Sequence, residues 1–175
     1  GGNFDILTKE KGIYRTPSFA PDGKTIVYYK ESGNRAMGFA YGVNPGIYTM
    51  KPAGSAATFI TNDGQNPVFS ADGKRIYYQK GGFIFGSLDK SYRSVNPDGK
   101  DQITHVQAKF ANQFTLSPDN QWLAFSELYY IYIIPFPDHG NTLELSGKLE
   151  TLPIAKVSNR SGINLQWSGD GQKLH

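Results

Sequence analysis

One pattern returns four times along the chain. Pro17 to Tyr29 reads PSFAPDGKTIVYY, Pro67 to Gln79 reads PVFSADGKRIYYQ, Phe114 to Ser126 reads FTLSPDNQWLAFS, and Leu165 to His175 reads LQWSGDGQKLH. The aspartates inside these copies, Asp22, Asp72, Asp119 and Asp170, stand 50, 47 and 51 residues apart. A period of this length marks one supersecondary unit repeated, because such a unit cannot bury its apolar face alone.

Each copy explains itself as a hairpin. An aromatic or aliphatic residue closes one strand: Phe19, Phe69, Leu116 or Trp167. The aspartate can bond its own downstream backbone, and Gly23, Gly73 and Gly171 supply the positive φ that such turns need. Asn120 takes the glycine's place in the third copy, asparagine being the next residue to tolerate that conformation. Beyond the turn, apolar residues alternate: Ile26 and Tyr28, Ile76 and Tyr78, Leu123 and Phe125. This is a strand with one buried face.

Two further strands complete each unit. The third is expected at Gly46 to Met50, Phe83 to Leu88 and Tyr130 to Ile134. The fourth ends at Phe59-Ile60-Thr61, Gln102-Ile103-Thr104 and Lys156-Val157-Ser158. Ile6-Leu7-Thr8 repeats that ending and reads as the last strand of an earlier unit, over residues 4–8. Four-stranded antiparallel units near 50 residues define an all-β fold of propeller blades. The expected blades are 14–61, 62–104, 112–158 and an unfinished 163–175, one domain over 1–175. That is a partial propeller of three to four blades, whose open strand edges can pair with one another.

Composition agrees and excludes several classes. Gly 20 and Pro 10 serve many turns, and aromatics at 14% suit short strands. Cys is 0, which removes disulfide scaffolds and cysteine nucleophiles. A net charge of +3 from scattered bases predicts no nucleic-acid partner. The longest apolar run, Leu128 to Phe136, is far too short to span a bilayer and reads as a buried strand. No charged-then-apolar leader opens the chain, and one removed ahead of Gly1 fits the same sequence.

The aromatic-Ser-x-Asp-Gly-Lys turn with a Thr-ending outer strand resembles the TolB-like propeller repeat, over essentially the whole chain. Pro17 to Lys30, Tyr41 to Tyr48, Tyr132 to Pro137 and Lys156 to Leu174 also look like the TolB-like propeller that precedes the catalytic domain of large bacterial amidohydrolases. The resemblance implies a periplasmic or otherwise exported protein. It also implies a non-catalytic role in binding a protein, a peptide or a sister catalytic domain.

The chain offers no catalytic constellation of its own. Asp22, Asp72, Asp119 and Asp170 are turn residues of separate units. His105, His139 and His175 make no metal-ligand pair, so no metal or cofactor is expected. No Gly-x-Ser-x-Gly elbow occurs. The reading is a binding or scaffold domain, and its rival is the accessory propeller of an exported amidohydrolase or peptidase whose chemistry lies outside these residues.

Strand alternation places the second-to-third-strand loops on the face of the links between blades, opposite the Asp turns. These loops vary while the turns repeat, and variable loops on a rigid scaffold carry binding. Glu31 to Pro45 is the longest, with Arg35, Phe39 and Tyr41. Tyr14, Arg15, His105, Lys109, Phe110 and Arg160 join them as candidate binding residues on a mildly basic face. Among these, His105 is read as a surface residue.

Overall fold

A computed structural model describes residues 5–10, 12–31, 44–62, 64–81, 89–137, 140–162 and 164–175. Among the described residues every regular element is a strand. Sheet one joins β1 (Tyr14–Phe19), β2 (Ile26–Lys30), β3 (Gly46–Met50) and β4 (Thr58–Thr61) in sequential antiparallel order. Sheet two runs β5 (Gln65–Phe69), β6 (Ile76–Lys80), β7 (Lys90–Val95) and β8 (Ile103–Ala108). Sheet three contains β9 (Ala111–Leu116), β10 (Trp122–Glu127), β11 (Tyr130–Pro135) and β13 (Ala155–Lys156). A Trp167–Leu174 bridge closes the fourth Asp hairpin.

Three features differ from the expectation. β12 (Leu143–Leu145) adds a fifth strand to sheet two, parallel to β8, with Thr142 Oγ1 donating to the Thr104 carbonyl at 3.0 Å. Leu145 is buried there, which gives this short segment its place on the outer edge. The expected third strand at 83–88 lies outside the described residues, and β7, further along the chain, holds the third place of that sheet. Residues 6–8 form no strand: Ile6 is exposed, while Leu7 packs on Ile26, Tyr28 and Met50.

The four Asp hairpins share one hydrogen-bonded design. In each, Oδ1 of Asp22, Asp72, Asp119 or Asp170 accepts from the amide two residues on at 3.0 Å. Gly23, Gly73, Asn120 and Gly171 take φ of 69°, 71°, 60° and 69°. In three of the four, a serine locks the turn further. Ser117 Oγ donates to Asp119 Oδ1 at 2.5 Å and accepts from the Trp122 amide at 2.9 Å. Ser70 and Ser168 do the same for Asp72 and Asp170. The first turn has Ala20 in the serine's place. The serine hydroxyl, then the backbone amide, hold the carboxyls of Asp72, Asp119 and Asp170 below the usual carboxylate value.

The chain gathers into two compact units, Gly1–Tyr78 with Val95–Asp101, and Gln79–Ser94 with Gln102–His175. In the first, Val27, Ile47 and Ile60 of sheet one pack with Ile76, Tyr78 and Val95 of sheet two. Alternation sends Ile26, Tyr28 and Met50 to the opposite face of sheet one. In the second, Phe125, Leu123, Ile134, Tyr92 and Val106 are the principal buried residues.

Ile76 is fully buried, so Ile76→Ala should lower stability by about 3 kcal/mol. Denaturant midpoints check this against Ile6→Ala, which should move stability by less than about 0.5 kcal/mol. Ser117→Ala turns the third hairpin into the first one's type and should cost about 1–2 kcal/mol. The depressed carboxyls add a pH test. Their contribution is present above the unfolded value near 3.8 and fades as pH falls through the lower folded values. The stability gap between wild type and Ser117→Ala should therefore narrow as pH falls through that window, leaving the part that comes from the Trp122 amide bond to Ser117.

Candidate functional site

The predicted site residues divide between the two units, and three of them, Arg35, Phe39 and Tyr41, lie outside the described residues. In the first unit, Tyr14 and Arg15 open β1. Arg15 reaches Glu31 through Nε and Nη2, both at 3.2 Å from Oε2. Tyr14 begins a row of rings across sheet one: Tyr14 to Tyr28 at 5.6 Å, Tyr28 to Tyr48 at 5.9 Å, and Tyr48 to Phe59 at 5.4 Å. Cross-strand register puts Tyr28, Tyr48 and Phe59 opposite one another. Tyr14, Tyr28 and Tyr48 border a cleft of about 370 Å³ with Lys30, Glu10 and Ser55.

The groups in this cleft already have partners. Tyr14 donates to the Glu10 carbonyl at 2.8 Å and Tyr48 to the Asn44 carbonyl at 2.7 Å. Lys30 is buried, and its ammonium sits 2.8 Å from Glu10 Oε2. That hydrogen bond pushes Lys30 up and holds Glu10 down. Burial, with Tyr14, Tyr48 and Glu10 nearby, pushes the Tyr28 phenol up to about 12.

In the second unit, Lys109 and Phe110 form the turn between β8 and β9. Lys109 Nζ lies 5.5 Å from the Phe110 ring centre. They share a cleft of about 190 Å³ with Lys90, Asn112, Leu128 and Tyr129. The Gly162 amide donates to the Tyr129 carbonyl at 3.2 Å, bringing the Arg160 segment alongside. In sheet three these groups lie at the end opposite the Asp119 turn, because β10 separates the two connections.

His105 is a correction. Its ring is buried, Nε2 lies 2.7 Å from Ser94 Oγ, and it packs 5.2 Å from the Phe136 ring. It stands inside β8, where its polar ring is satisfied by a cross-strand serine, and it is unavailable to a surface ligand.

Leu128 and Tyr129 are a second correction. Instead of starting a buried strand, they form the two-residue tip of the β10–β11 hairpin, exposed by 59% and 74%. Both take positive φ, 45° and 77°. Such tips favour Asn-Gly, and side chains of this size are strained there. The apolar composition of the run hid the tip. A turn between two alternating strands with no Gly, Asn or Asp was the available signal.

Lys90 was missed altogether. It opens β7, is 5% exposed, and lines the 190 Å³ cleft and a larger one of about 390 Å³. Gly81 makes room for it: a Cβ there would meet Lys90 Cγ and the Asp89 carbonyl oxygen at 2.7 Å, and its φ is +140°. Burial alone pushes the Lys90 amine below the usual lysine value. Among the described residues, no group of three His, Asp or Glu is placed to hold a metal ion.

With this geometry established, comparison with solved structures defines the class. The chain matches TolB from Acinetobacter baumannii with a TM-score of 0.66 at 20% identity, over 97% of this chain and 39% of TolB. It matches the β-propeller domain of the Trilobed protease from Pyrococcus furiosus with a TM-score of 0.57 at 13% identity, over 93% of this chain and 47% of that one. The protein is an all-β partial propeller of TolB-like fold. It spans less than half the length of these structures. No family model and no curated protein matches the sequence.

Proposed function

We propose that the chain is a non-catalytic binding domain that receives a peptide or protein segment at Phe110, Leu128 and Tyr129, with Lys109 and Arg160 on the rim. The strained hairpin tip carries this reading. Holding Leu128 and Tyr129 in the left-handed region costs roughly 1–3 kcal/mol each. The outcome is two large apolar side chains held in solvent beside Phe110, itself 42% exposed. Aromatic anchors beside bases are what binding hot spots use. An exported, periplasmic setting follows from the TolB-like resemblance and belongs to the proposal, as does edge-to-edge pairing between copies.

The likeness to a propeller domain of a protease supports a second reading, in which the same surface serves a sister hydrolase domain of a longer protein. The full reading frame separates the two: an adjoining hydrolase domain favours the second, and its absence the first.

The hairpin gives the direct test. A double variant, Leu128→Asn with Tyr129→Gly, should raise stability by about 1–2 kcal/mol, because it relieves the tip. The same variant should weaken, at least about ten-fold, peptides selected from a display library against the wild-type protein. Selected peptides that bind both proteins equally contradict the proposal.

A further inference from the structure

Charges are paired unevenly along the chain. Arg15, Lys30, Lys74, Arg75 and Lys100 each stand 2.8–3.7 Å from a carboxylate, and all five belong to the first unit. Around the β10–β11 tip of the second unit the bases are exposed and face rings instead. Lys109 Nζ lies 5.5 Å from the Phe110 ring centre, and Lys156 Nζ lies 3.3 Å from that of Tyr130. Arg160 is exposed in the segment that Ser158 and Gly162 fasten to Ile131 and Tyr129. Among the described residues, none of these three cations makes an ion pair. The acids nearby are engaged elsewhere. Glu127, next to the tip, is buried and accepts from the Gly147 amide. Asp119 holds the turn at the other end of the sheet, and the Asp170 turn lies beside it, with Gly171 against Pro118. Asp89 and Glu144 border a cleft with Lys109 without pairing to it.

Sheet order turns these charges into a pattern. From edge to edge, sheet three runs β13, β11, β10, β9. The apolar tip joins β10 to β11, Lys156 and Arg160 lie on the β13 side, and Lys109 leads into β9. Cations therefore flank the tip on both sides. Neighbouring strands stand about 4.8 Å apart, so β13 and β9 are about 14 Å apart, a distance an extended chain covers in about four residues.

We propose that the segment received at the tip is an acidic, extended one, with a large apolar side chain against Leu128 and Tyr129 and carboxylates about four residues apart that meet Lys109 on one side and Arg160 with Lys156 on the other. Charge complementarity of this kind steers the encounter and fixes the register of the bound segment. Each exposed pair adds little by itself, and two together strengthen binding by about five-fold. The inference rests on the binding role proposed above and deepens it.

The probes are the display-library peptides that the Leu128→Asn, Tyr129→Gly variant binds more weakly. Their sequences should carry a net negative charge, with Asp or Glu three to five residues apart around a large apolar residue. Exchanging those acids for Asn or Gln in a synthetic copy should weaken binding about five-fold. Lys109→Glu with Arg160→Glu should weaken the acidic peptides at least about ten-fold at low salt, because attraction becomes repulsion. Lys24→Glu with Lys173→Glu makes the same change of net charge at exposed bases beside two Asp turns and should leave binding within about two-fold. Raising the ionic strength to 0.5 M should narrow the ten-fold gap. Tip-dependent peptides that are neutral or basic overturn the inference and leave the binding role standing. Acidic peptides that bind the Lys109, Arg160 variant as tightly as wild type do the same. A selection that returns no tip-dependent peptide overturns the binding role itself, and the inference falls with it.

Discussion

A single carboxylate oxygen sets the geometry on which each hairpin depends. Oδ1 of the turn aspartate accepts from the amide two residues on, and in three hairpins from a serine hydroxyl as well. That serine in turn accepts from the amide five residues further on. The chain thus reverses with its backbone groups satisfied and its register set. In a strand of period two, register decides which side chains face inward. Val27 goes to the core with Ile47 and Ile60, while Ile26 and Tyr28 go to the opposite face. A register slip of one residue would exchange the two sets.

Because one end of the hairpins is committed to this turn, the other end is free to differ. In sheet three the contrast is direct. The Asp119 turn spends Ser117, Asp119 and Asn120 on satisfying backbone. The β10–β11 tip spends conformational energy instead and holds Leu128 and Tyr129 outward. Charges follow the same division. Arg75 is tied to Asn96 and Asp101, Lys30 to Glu10 and Arg15 to Glu31.

The fold was legible because the hairpin is written in local chemistry. Asp and Gly or Asn at fixed offsets, followed by alternation, identify a turn and a strand without any tertiary knowledge. β12 was illegible because Leu143-Glu144-Leu145 is too short to carry a period, and its place on β8 is a tertiary choice. The site was less legible still. Lys109 and Phe110 could be inferred from their connection between units, but Tyr14 and Arg15 turned out to be engaged with Glu10 and Glu31. His105 stands in a strand whose neighbours bury it, which no count of residues reveals. Leu128 and Tyr129 look like core because composition does not distinguish an apolar tip from an apolar strand. Lys90 is buried by what surrounds it, which its place in the sequence does not show.

The central claim is a division of labour between the two ends of a sheet. Amide chemical-shift mapping with a peptide selected from a display library against the wild-type protein tests it most directly. The account predicts shifts at Lys109, Phe110, Leu128 and Tyr129, with the amides of Gln121 and Asn120 in the Asp119 turn unmoved. Shifts concentrated at the Asp119 turn, with the Leu128–Tyr129 tip silent, would contradict it.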